Sequence, residues 1–110
     1  MAMPELIAIE EPYELKQAQT VYFQCRRGDH CPFFFRIDKP CVIKIHTWPL
    51  DHKSDPDLYV GINSDIIDEN THLFKSKLIG ANEIIVYPDD PKFECGLWRV
   101  VVHSTNNDEE

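Results

Sequence analysis

The chain is expected to fold as an all-β antiparallel sandwich, of jelly-roll or Greek-key type with about seven to eight strands. Three observations predict it. Ile and Val together number 18 against 7 Leu and 4 Ala, and β-branched side chains lose rotamer freedom in helices but suit a pleated surface. Twelve aromatics and eight prolines supply fillers for a core between sheets and punctuation between short strands. No pair of helical patterns of roughly 10–15 residues interrupts the alternation, so βαβ units are not expected.

Residues 1–12 form an extended lead-in with Pro4 and Pro12 as breakers. Glu14 to Ala18 has room for one helical turn, too short to stand alone. Thr20 to Arg26 reads as a strand, Arg27-Gly28-Asp29-His30 as a turn, and Pro32 to Ile37 as a second strand with three consecutive phenylalanines. Because successive side chains alternate, Phe33, Phe34 and Phe35 cannot all face one side. Cys41 to Trp48 is the clearest strand: Cys41, Ile43, Ile45 and Thr47 share the face expected to pack inward, with Val42, Lys44, His46 and Trp48 opposite. Pro49 to Pro56 is a polar loop, and Asp57 to Ile62 resumes the alternation with Leu58, Val60 and Ile62 on one side. Asn63 to Asn70 reads as an acidic loop or a brief helix. Strands are expected at Thr71 to Ile79, at Glu83 to Tyr87 after the Gly80-Ala81-Asn82 turn, and at Leu97 to Ser104 after the Pro88 to Pro91 loop. In the last strand Trp98, Val100 and Val102 lie opposite Leu97, Arg99, Val101 and His103. Residues 105–110 form an acidic tail, and the whole of 1–110 reads as one domain.

The charge balance narrows the partners. Eleven basic and nineteen acidic side chains give 11 − 19 = −8, a field that opposes phosphate backbones and anionic lipid. Nucleic acid is not an expected partner, and no apolar run approaches membrane-spanning length. The N-terminal stretch has neither a positive segment nor an apolar core of signal-peptide kind, so a cytoplasmic chain is expected, unless a parent protein supplies the targeting signal.

Cys25, Cys31, Cys41 and Cys95 lack the close pairs of zinc knuckles and redox motifs. They are expected as reduced, mostly structural thiols, with a disulfide or a metal site as the other readings. Cys41, leading an apolar strand, reads as a buried small hydrophobe. Cys25 and Cys31 flank a glycine turn with cations beside the first, an arrangement that lowers a thiol pKa. The five histidines contain neither an H-E-x-x-H nor an H-x-H pair, so most read as surface or strand residues. With no nucleophile elbow or phosphate-cradling glycine loop, no catalytic residues are assigned and no enzyme activity is expected.

Four features in order carry a family likeness: an aromatic run at 21–25, the alternating strand 41–48, Asp55-Pro56-Asp57-Leu58-Tyr59-Val60, and Gly96-Leu97-Trp98-Arg99-Val100-Val101-Val102. Over residues 20–104 the chain resembles the pre-peptidase C-terminal type of β-sandwich domain. The resemblance implies a non-catalytic appendage of secreted peptidases and other multidomain proteins, serving packing, binding or secretion. Lys53-Ser54-Asp55-Pro56-Asp57-Leu58-Tyr59-Val60 bears a weaker similarity to a segment of C2 domains, which implies calcium held by Asp51, Asp55, Asp57 and Asp89 or Asp90.

The expected function is a non-catalytic interaction or accessory module of a larger protein. It would bind a protein partner, a basic segment or a neighbouring domain, through an acidic and aromatic surface of Trp48, Asp51, Asp55, Asp57, Asp89 and Asp90. The alternative is a calcium-dependent or secreted peptidase-associated binding domain. No other cofactor is expected.

Overall fold

In the computed structural model the described residues are 6–50 and 54–106. They form nine strands and no helix, so the all-β expectation holds. In chain order the strands are β1 (Ile7–Ala8), β2 (Tyr13–Glu14), β3 (Phe23–Gln24), β4 (His30–Ile37), β5 (Ile43–Thr47), β6 (Ser54–Ile62), β7 (Phe74–Ser76), β8 (Asn82–Val86) and β9 (Gly96–Asn106). Five of them make one sheet in the order β2-β4-β9-β6-β7, while β1 pairs with β3 and β5 with β8 in separate two-stranded ladders. The long pairings are antiparallel; the β1–β3 and β2–β4 pairings, two residues each, are parallel.

The strands differ from the sequence reading where a partner is missing or extended. High strand propensity runs over 20–26, but β1 offers a ladder partner only to Phe23 and Gln24, and unpaired neighbours stay irregular. The lead-in therefore contributes β1, and the tail's first residues, Thr105 and Asn106, continue β9 opposite Asp55 and Ser54. The turn foreseen at 14–18 reduces to Gln17-Ala18, closed by Gln19 N–H donating to the Lys16 carbonyl at 3.1 Å.

The core lies on one face of the five-stranded sheet. Cys31 and Phe33 of β4, Leu58, Val60 and Ile62 of β6, and Trp98, Val100 and Val102 of β9 point into it, joined by Ile43 of β5 and by Ile84 and Val86 of β8. Alternation in β5, β6 and β9 thus selects the core face as read from sequence. Phe33 is buried, and Phe34 and Phe35 are half-buried. Cys41 is exposed rather than buried, because β5 begins only at Ile43.

The opposite face of β6 is also covered. Tyr59 and Val101 form a second buried cluster with Ile67, which the segment after β6 lays over the sheet. Gly61 makes this possible, since a Cβ there would run into the Ile67 side chain. The segment is tied at its root, where Asn63 N–H donates to the Leu97 carbonyl at 2.7 Å and Asn63 Oδ1 accepts from Leu97 N–H at 2.9 Å. No helix forms in it. Pro56 is tolerated inside a central strand because β7 pairs only with Leu58 to Val60. Its carbonyl is taken instead by Asn82 Nδ2 at 2.7 Å.

Candidate functional site

Two places on this frame carry chemistry. The first is a row of polar side chains on the covered face of the sheet. His30 opens β4 and stands directly opposite His103 of β9, and Asp57 of β6 stands opposite His103 on its other side. The register is fixed next to the pair: Gly28 (φ 85°) turns the chain so that its N–H donates to the Ser104 carbonyl at 2.7 Å, and Ser104 N–H donates to the Asp29 carbonyl at 3.0 Å. The two imidazoles stack, with centroids 4.2 Å apart and planes 4° from parallel.

Glu69 completes the group from above. Asp68 Oδ1 accepts the N–H groups of Asn70 and Thr71, each at 2.8 Å, an Asx-type turn that projects the residue between them. Ile67, buried one step before it, anchors this turn to Tyr59 and Val101. Glu69 Oε1 hydrogen-bonds with His30 Nε2 and lies 3.8 Å from His103 Nδ1. The His30 ring holds the Glu69 carboxyl below the ordinary carboxylate range. One carboxylate oxygen thus faces two imidazole nitrogens, the arrangement in which a proton or a metal ion is shared.

The second place is a cleft of about 1040 Å³ between the two ladders. Residues 21–25 line one side of it and residues 41–50 the other, with Phe33, Phe35, Leu58 and Val100 as its floor. Neither β3 nor β5 has a second hydrogen-bonded neighbour among the described residues. Trp48 stands at the rim, 42% exposed, its ring edge-on to Tyr22 at 6.3 Å and to His46 at 5.4 Å.

Of the residues singled out from sequence, Trp48 is therefore exposed beside a cavity. Asp55 and Asp57 are not loop acids: β6 begins at Ser54, and both are buried, at 0% and 1% exposure. Asp55 Oδ1 accepts Gly80 N–H at 3.2 Å, a structural task. Asp89 is exposed and Asp90 half-buried in the turn after β8, where Asp90 Oδ1 accepts Lys92 N–H at 2.8 Å. Asp51 lies outside the described residues. Hence Asp55 and Asp57 do not belong to an exposed acidic surface, and among the described residues Asp55, Asp57, Asp89 and Asp90 are not grouped as a set of metal ligands. Among the described residues the one grouping of three or more metal-ligating side chains is His30, Glu69 and His103. The sequence gives little signal for it, since the two histidines meet only through the β4–β9 ladder.

The Cys25 thiol is held below its ordinary value, but by Cys31 and not by the arginines beside it. The Cys31 S–H donates to the Cys25 sulfur, which lowers the Cys25 pKa, while that hydrogen bond and burial push Cys31 up. Replacing Cys31 with alanine in a Cys41→Ser, Cys95→Ser background is expected to raise the Cys25 pKa and slow its alkylation by iodoacetamide at mildly alkaline pH. An unchanged or faster rate would show that Cys31 does not stabilise the Cys25 thiolate.

Compared with known protein families, curated proteins and solved structures, the chain matches none of them. No helix among the described residues is long and apolar enough to cross a membrane.

Proposed function

We propose that this chain is a non-catalytic β-sandwich module that binds an extended segment of a protein partner in the cleft between its two ladders. The observation that carries the reading is the cleft itself, floored by core side chains and bordered by β3 and β5, each with a single ladder partner among the described residues. An added strand satisfies such edges through main-chain hydrogen bonds, and pockets beneath it select alternate side chains. The sandwich architecture follows if the ladders act as the second layer over the five-stranded sheet. The resemblance to the pre-peptidase C-terminal type fits this, because its two signature segments are β6 and β9, neighbours near the sheet's centre.

Charge refines the partner. The described residues lining the cleft include Lys16, Arg36 and Lys44 against Glu14, and Glu83 pairs with Lys44 at 3.6 Å, so the local balance is 3 − 2 = +1 although the chain as a whole carries −8. Local charge governs which segment docks and the global field mainly its approach. An apolar segment flanked by Asp or Glu fits better than the basic one suggested by the overall charge.

The test is a panel of alternating apolar peptides carrying either Glu or Lys flanks, titrated while Trp48 fluorescence and backbone amide shifts are followed. The acidic peptides are expected to move amides of residues 21–25 and 41–50 and to lose affinity about tenfold when Trp48 becomes alanine. Shifts confined to other surfaces, or no preference for Glu over Lys flanks, would overturn the reading.

A further inference from the structure

We propose that His30, His103 and Glu69 form a zinc site that clips the turn at 68–71 onto the β4–β9 ladder. Their ligand atoms lie within 4.8 Å of one another, and they come from three separate parts of the chain held by independent restraints. The two histidines are fixed by strand register, and Glu69 is fixed by the Asp68 turn and the Ile67 anchor. Two neutral imidazoles and a carboxylate are a donor set for zinc, whereas calcium and magnesium take oxygen ligands almost alone. Three protein ligands leave a fourth tetrahedral position for water, and the partial exposure of His30 and Glu69, 39% and 40% for the side chains, gives the ion its way in.

The rings must move a little to bind. Parallel stacked imidazoles send their lone pairs side by side, so convergence on one ion at about 2.0–2.1 Å requires at least one ring to rotate out of the stack. The exposed His30 is free to make that rotation without disturbing the core, because its strand neighbour Cys31, not His30 itself, points inward. Asp57, at the facing position on β6, lies where a carboxylate orients the histidine of such a site. The site is on the face of the sheet away from the cleft, so it stands whether or not the cleft binds a peptide.

The experiment is calorimetric titration of the full chain with zinc chloride, paired with cobalt(II) absorption. The expected result is one ion per chain. Affinity is expected to fall about tenfold or more in each of His30→Ala, Glu69→Gln and His103→Ala. Because His30 and Glu69 are exposed, their variants should keep the parent's circular dichroism, so a loss there is not a folding failure. A further readout is hydrogen exchange at residues 67–72, which should slow on zinc addition in the parent and not in Glu69→Gln. The cysteines are the competing ligands: a sulfur-to-cobalt charge-transfer band, undiminished affinity in the three variants, or no binding at all would each overturn the proposal.

Discussion

Replacing Trp98 with alanine is expected to destabilise the fold by about 3–5 kcal/mol, the range for deleting a large aromatic from a packed core. Trp98 is fully buried. Its ring stacks on Phe35 at 5.8 Å and on Phe74 at 6.5 Å, and meets Phe93 at 5.5 Å. These three partners come from β4, from β7 and from the segment before β9, so the indole joins elements that share no hydrogen-bond ladder with one another. Its Nε1–H donates to the Glu94 carbonyl at 3.0 Å, and truncation leaves that carbonyl without the donor. Small domains have roughly 5–15 kcal/mol in total, so the variant should sit close to unfolding. Urea denaturation followed by circular dichroism checks it, with the midpoint falling and the slope unchanged. Trp48→Ala is the internal contrast, because a 42% exposed ring should change stability by no more than about 0.5 kcal/mol. Equal losses in the two variants would mean that the core is not where the structure puts it.

Asn82→Ala is expected to cost roughly 2–4 kcal/mol, more than its size suggests. The side chain is buried at the start of β8 and satisfies five groups. Oδ1 accepts from Ser76 Oγ and from Leu78 N–H, both at 2.7 Å. Nδ2 donates to the Pro56 carbonyl at 2.7 Å, to Leu78 at 2.9 Å and, as a longer contact, to Gly80 at 3.4 Å. One amide therefore closes the β7–β8 connection and ties it to β6 at Pro56, where β7 no longer pairs with that strand. Asn82→Asp keeps the acceptor but loses the donors and turns an oxygen toward three carbonyls, so it should be at least as damaging as alanine. A well-tolerated aspartate in the same denaturation experiment would show that the donated bonds carry little.

The difference between these two residues also shows what the sequence made legible. Trp98 belongs to an alternating run, and alternation names the core face of a strand without reference to anything distant. Leu58, Val60, Ile43 and Val102 were readable for the same reason. Asn82 looked like a turn residue because a polar side chain after glycine usually is one; its five bonds depend on β6 passing beneath. Asp55 and Asp57 misled in the same way. Asp55 reads as part of a polar loop and alternation turns Asp57 away from Leu58, but neither reveals that β6 begins at Ser54 or that Ile67 and its segment fold over the opposite face. The zinc-ligand group was beyond reach for a related reason: His30 and His103 carry no local motif, and only the pairing of β4 with β9 makes them neighbours. Trp48 was identifiable because its strand's periodicity put it outside the core, whereas the cleft beside it depends on how two ladders stand apart.

The β4–β9 register underlies both the core and the histidine pair, and it can be measured without ligand. Nuclear Overhauser contacts in the folded chain should link the ring protons of His30 to those of His103, and link both rings to the side-chain methylenes of Glu69. A slip of one residue would place His30 across from Val102 and turn it toward the core, carrying Cys31 to the outer face. Contacts from His30 to Val102 or Ser104 in place of His103, with Glu69 remote from both rings, would contradict the fold described and remove the metal site with it.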